Sequence, residues 1–174
     1  MLYTPTIGKI SSPFGWRWRN TDWHGGIDFG APVGTPVFAA NGGTVLGVWP
    51  NGALNKYGRV IVLKHNEPYD APYSLYAHLS DTIVAPGQPV IKGQRIGYTG
   101  TTAASREDSG RKVPPHLHFE LLSHWPPPKP DVYRVDPTSF LDPKLVPPNT
   151  ATGIGIGTLL LLGGAGYYFW RKRR

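Results

Sequence analysis

Pro114-Pro115-His116-Leu117-His118-Phe119-Glu120-Leu121 alternates polar and apolar side chains after its two prolines. The prolines bar a helix through its start, because neither can donate a backbone hydrogen bond and each pushes the preceding residue away from helical geometry. Strand alternation then sets His116, His118 and Glu120 on one face and Leu117, Phe119 and Leu121 on the other, buried face. A second stretch, Trp23-His24-Gly25-Gly26-Ile27-Asp28-Phe29-Gly30, holds two more polar residues four apart. The two glycines between His24 and Asp28 argue against a helix, and in an extended segment an even separation again puts both side chains on one face. Two such strands side by side would bring His24 and Asp28 to the histidines of the first stretch. The product is a His/His/Asp set with one coordination position open, which is how a catalytic zinc is held by three protein ligands and water.

Outward from these motifs the chain is punctuated like a β protein. Residues 37–40, 43–48, 59–64 and 73–78 are short, rich in β-branched or aromatic side chains, and bounded by Gly, Pro or Asn. Val90 and residues 95–99 supply two further short strands, and Asn41-Gly42 suits a tight turn joining the first two. No sustained helical periodicity precedes residue 151. The expectation is a mainly β fold, an antiparallel, sandwich-like sheet domain with long loops. The chain has 174 residues and no cysteine, so thiolate sites are excluded and any metal must sit on His, Asp or Glu. The net charge of +7 falls to +3 without the terminal Arg171, Lys172, Arg173 and Arg174. A domain so mildly basic, with no helix carrying a basic stripe, does not read as a nucleic-acid binder.

Together with Tyr76-Ala77-His78-Leu79, the two motifs resemble the M23 metallopeptidases of the lysostaphin and LytM type. Residues 12–17, 31–37 and 90–97 match in the same order, so the resemblance covers about residues 8–123. It implies an antiparallel β domain carrying one Zn²⁺ per chain, with His24, Asp28 and His118 as ligands. His116 and His78 resemble the two catalytic histidines that do not bind metal, and which of them carries the proton stays open. The implied activity is endopeptidase cleavage of peptide cross-bridges in bacterial peptidoglycan. The alternative is a catalytically silent domain of this family, binding wall, regulating, or serving as a structural membrane protein; against it, all three ligands and both histidines are present. One departure is an expanded loop, residues 103–113, where the family carries a short Gly- and Ser-rich segment. Glu120 is expected either behind a metal ligand or facing solvent. His65 and His124 match no motif position and are expected in surface or structural roles. Trp16-Arg17-Trp18-Arg19 is expected as a strand edge or groove wall.

The expected organisation is a peptidase-like domain over residues 1–142, with a core of about 8–123 and a Pro-rich extension over 124–142. A linker follows at 143–150, then a transmembrane helix at 151–170 and a basic tail at 171–174. The span carries no charge, and as a helix it would be about 30 Å long, the thickness of a hydrocarbon core. Tyr167, Tyr168 and Trp170 stand where an aromatic belt belongs, directly before the basic cluster. Expected partners are therefore peptidoglycan, a lipid bilayer through residues 151–170, and DNA or anionic lipid at the tail. No apolar signal-peptide core occurs in residues 1–20. A single-pass protein anchored at its C-terminus is expected, either in a bacterial cell envelope or on the internal membrane of a bacteriophage virion. The virion setting reconciles a wall-cutting domain with synthesis in the cytosol.

Overall fold

The computed structural model describes residues 1–147 apart from 18, 52, 67–69, 103–113 and 127–132. The expected membrane span, the basic tail, the expanded loop and Trp18 lie outside the described residues, among which no helix is long and apolar enough to cross a membrane. The described residues form strands with two short 3₁₀ turns, Asn55–Tyr57 and Pro137–Ser139. The strands are β1 (Lys9–Ser12), β2 (Gly15–Arg17), β3 (Asp22–His24), β4 (Ile27–Gly30), β5 (Pro36–Phe38), β6 (Gly43–Trp49), β7 (Val60–His65), β8 (Tyr73–Ala77), β9 (Leu79–Thr82), β10 (Pro89–Val90), β11 (Arg95–Thr99), β12 (His116–Leu122) and β13 (Arg134–Val135). Their pairings are antiparallel throughout.

One large sheet runs β1-β4-β12-β8-β7-β6-β10, with β13 also on β12; β5-β11-β9 and β2-β3 form two smaller sheets. The main core lies where β5, β9 and β11 offer Val37, Leu79 and Ile96 to Ile61, Leu63, Tyr76, Leu117 and Phe119 of the large sheet. Val60, Val62, Leu75, Ala77 and Leu122 fill a second cluster. Alternate residues of β7 thus serve different clusters, which is why Val60-Ile61-Val62-Leu63 reads as an unbroken apolar run. On β12 the expected alternation holds, with Leu117, Phe119 and Leu121 fully buried.

Asn41-Gly42 does not make the expected hairpin. β5 pairs with β11 while β6 pairs with β7 and β10, so the chain changes sheets at that turn. A Cβ at the neighbouring Gly43 would overlap the Lys64 carbonyl, so the glycine there serves close strand approach. The described part of the Pro-rich extension is built into the domain: β13 borders β12, and Val135, Phe140 and Leu141 pack on the core. Leu2 N donates to Phe140 O (2.6 Å), Asp142 N to Leu2 O (2.9 Å) and Thr4 N to Leu145 O (2.8 Å).

Candidate metal centre

β4 and β12 lie side by side with His118 opposite Asp28, and the β3–β4 turn returns His24 to the same place. Three acceptor atoms meet there. His24 Nε2 is 3.1 Å from Asp28 Oδ1 and 3.1 Å from His118 Nδ1, and His118 Nδ1 is 2.8 Å from Asp28 Oδ1. A tetrahedral zinc with bonds of 2.0–2.2 Å separates its ligand atoms by roughly 3.3 Å, close to this triangle.

The opposite ring nitrogens show which atoms carry protons. His24 Nδ1 lies 2.7 Å from Pro13 O, and a carbonyl only accepts, so Nδ1 holds the hydrogen and Nε2 the lone pair. His118 Nε2 faces Glu120 Oε1 at 2.9 Å, which puts the hydrogen on Nε2 and turns the Nδ1 lone pair toward Asp28. Two lone pairs and a carboxylate oxygen therefore point at one another, an arrangement that repels unless a cation stands among them. The charges agree. Burial alone would raise the Asp28 pKa and lower that of His118. Hydrogen bonds between them win, holding the Asp28 carboxyl well below the usual range, and Asp28 and Glu120 push His118 up to about 9. A metal ion would supply the positive charge that a proton supplies in its absence, so the residues fit zinc.

His116 and His78 stand beside the triangle. His116 Nδ1 meets Pro114 O at 2.6 Å, and its Nε2 is 3.8 Å from Asp28 Oδ1. His78 Nδ1 meets Thr102 O at 2.7 Å, and its ring centroid lies 4.6 Å from that of His116. In both, the carbonyl fixes the hydrogen on Nδ1 and makes Nε2 the basic nitrogen. Burial, then the neighbouring His118 and His116, push the His78 pKa down to about 3. His78 also sits at φ 60°, a left-handed conformation costly for a residue with a Cβ and concentrated at functional positions. The structure thus brings all five candidate residues to one open groove of about 700 Å³, which Ser12, Arg17, Trp23, Lys56 and Tyr57 also line.

Glu120 is 1% exposed and bonded to His118, which removes the solvent-facing alternative. Arg17 belongs to the groove wall, donating to Asp22 Oδ2 (2.7 Å) and Ser12 Oγ (2.9 Å), 4.0 Å from Asp28. His65 is buried, and His124 stacks edge-on with Tyr133. Tyr57 and Arg134, both bonded to Glu120, were not singled out by sequence, since neither lies in a motif.

The sequence profile of Peptidase family M23 matches residues 22–130, more than half of the chain. The chain belongs to this family. It is 38% identical over 99 residues to the peptidoglycan DD-endopeptidase ShyA of Vibrio cholerae serotype O1, covering 57% of this chain and 20% of ShyA. It is 34% identical over 155 residues to the DD-carboxypeptidase/endopeptidase Mpg of Neisseria meningitidis serogroup B, covering 80% of this chain and 31% of Mpg. The chain thus spans a third or less of either relative. A zinc-containing peptidase from Vibrio cholerae shares the fold, with a TM-score of 0.58 and 29% identity over 78% of this chain and 39% of that one. The M23 domain of this chain places its His/Asp/His triangle within the matched region.

Proposed function

We propose that the chain is a zinc-dependent endopeptidase that hydrolyses peptide cross-bridges of bacterial peptidoglycan. The observation that carries this is the triangle of His24 Nε2, Asp28 Oδ1 and His118 Nδ1, with two further histidines of fixed tautomer beside it. Similarity to ShyA, a peptidoglycan DD-endopeptidase, supports the wall as substrate, and similarity to Mpg, a DD-carboxypeptidase/endopeptidase, supports endopeptidase chemistry. Zinc, when bound, supplies Lewis acidity to the scissile carbonyl and acidifies water.

The chain's own residues do the rest. Asp28 and the two ligand histidines hold the ion, while Pro13 O and Glu120 fix the orientation of the imidazoles. His116 accepts at Nε2 the proton of the nucleophilic water and returns it to the leaving amine as the C–N bond breaks. His78, its ring 4.6 Å from that of His116 and its Nε2 lone pair free to accept, orients the attacking water by accepting a hydrogen bond from it. The groove aligns the bridge peptide across these groups.

The test is zinc content and digestion of purified peptidoglycan by the full chain, beside His118→Ala. One zinc per chain with new amino termini released, both lost in the variant, is the expected result. A folded protein that binds no zinc refutes the proposal, and zinc without cleavage of any wall type favours the silent alternative. We also propose residues 151–170 as a bilayer anchor, in a bacterial envelope or on a bacteriophage's internal membrane, on the strength of their uncharged length and basic flank. Failure of the full chain to partition into lipid vesicles would refute that part.

A further inference from the structure

The carboxylate behind His118 is held from a part of the chain that has no motif. Glu120 Oε1 accepts from His118 Nε2 (2.9 Å) and from the Tyr57 hydroxyl (2.9 Å), and Oε2 accepts from Arg134 Nε (3.1 Å). Arg134 Nη2 donates to the Tyr57 hydroxyl (2.8 Å), closing a ring of hydrogen bonds among the three. The ring is buried, the Glu120 side chain being 2% exposed and that of Arg134 11%. A buried carboxylate needs such partners, because its desolvation is costly when it is left with a single one.

The path of Arg134 is set from the other side by glycine. A Cβ at Gly25 would overlap Arg134 Cδ and Nε, and one at Gly26 would overlap the Phe119 carbonyl oxygen and reach Glu120 Cγ. Arg134 therefore packs against the turn that joins ligand His24 to ligand Asp28, while its guanidinium holds the carboxylate behind ligand His118. Its backbone is fixed too: β4 pairs with β12 from His116 to Phe119, and β13 pairs with β12 at Leu121 and Leu122.

We propose that Arg134 is a positioning residue of the metal centre. Through Glu120 and Tyr57 it keeps His118 hydrogen-bonded at Nε2, with Nδ1 toward the metal, and through Gly25 it sets the turn that carries His24. The Pro-rich extension is thereby part of the site. The inference rests on the zinc reading above.

The test compares zinc affinity, by chelator competition, for the full chain and the variants Arg134→Met, Arg134→Lys, Arg134→Ala, Tyr57→Phe and Gly25→Ala, with the visible spectrum of the cobalt form as a report on ligand geometry. Arg134→Met should weaken zinc binding about 10- to 100-fold and change the cobalt spectrum. Arg134→Lys should recover part of the loss, since the charge remains but the planar fork that spans Glu120 and Tyr57 is gone. Gly25→Ala removes no hydrogen-bonding group, yet should weaken binding in the same direction and add nothing on top of Arg134→Ala, which removes the Cδ and Nε that the new methyl would meet. If Arg134→Met fails to fold, Tyr57→Phe decides, with an expected loss of about 5-fold, the worth of one hydrogen bond. A folded Arg134→Met protein that binds zinc within about twofold of the parent, with an unchanged cobalt spectrum, overturns the inference. Additive losses in the Gly25→Ala/Arg134→Ala pair overturn the shared contact. A parent chain that binds zinc but cuts no wall sinks the proposed activity and leaves the affinity comparison to decide Arg134; a parent that binds no zinc sinks both.

Discussion

Acidification should destabilise this fold through His65, a residue remote from the chemistry. His65 closes β7 and is 5% exposed. Its Nε2 donates to Ser74 Oγ (2.9 Å), which donates to the Tyr76 hydroxyl (3.0 Å), itself an acceptor from Ala40 N (2.8 Å). Burial pushes its pKa from 6.5 down to about 4, against a weaker upward pull from the Ala71 backbone, to which Nδ1 makes no well-aligned hydrogen bond. The folded value lies below the unfolded one, so between these pH values the unfolded chain binds the extra proton. Stability is therefore untouched above the unfolded pKa and falls as pH drops through the window. A gap of about 2.5 units, at about 1.4 kcal/mol each, gives a loss on the order of 3 kcal/mol by pH 4. The assay is denaturant unfolding at pH 7, 5 and 4 for the parent and His65→Gln, both with chelator so that the metal site contributes equally. The parent should lose about 3 kcal/mol more than the variant between the extremes. Parallel curves, within about 0.5 kcal/mol, would mean that His65 meets water or titrates normally, and the reasoning from burial would be wrong.

His116→Ala should keep its zinc and lose about 10²- to 10⁴-fold in turnover on peptidoglycan; full turnover would remove it from proton transfer. Zinc at 100 times its dissociation constant should stabilise the native chain by about 2.7 kcal/mol, read as a fall in Tm on chelation that is absent in His118→Ala. Gly26→Ala should lose both stability and zinc, because a Cβ there meets the Phe119 backbone, which cannot move aside as a side chain can; elemental analysis and a thermal melt check it. Leu63→Ala, emptying a fully buried position of β7, should cost about 2–5 kcal/mol in denaturant unfolding.

Local chemistry made some of this legible and left the rest dark. Strand alternation is a property of one segment, so the apolar side of β12 and the span of β11 follow from residues 116–121 and 95–99 alone. Partner choice is not local. Asn41-Gly42 is good hairpin chemistry, yet the strand it leads into pairs with β7, whose long apolar run offers a better burial partner than β5. The same limit applies within the site. His24, Asp28 and His118 stand in two compact motifs, and an even spacing or a strand period gathers them. The register that sets His118 opposite Asp28 comes from the whole sheet.

Tyr57 and Arg134 mark the far end of that limit. Each is ordinary in sequence, one ending a 3₁₀ turn and one opening a two-residue strand, and only the folded chain joins them to Glu120. What made them necessary is nonetheless readable in physical terms. Alternation places Glu120 on the polar face with His118, and that face is closed over, His118 being 7% and Glu120 1% exposed. Covering it buries a carboxylate, and a buried carboxylate demands donors. The β12 edge beyond Phe119 is where β4 ends, so the donor had to arrive on another strand, and β13 is that strand. The segment from Arg134 to Leu145, which fixes the carboxylate behind His118, also ties down the N-terminus through Leu2 and Thr4, and the chain then runs on toward residues 151–170. The geometry of the candidate site and the course of the chain toward the segment that follows are thus carried by one piece of chain.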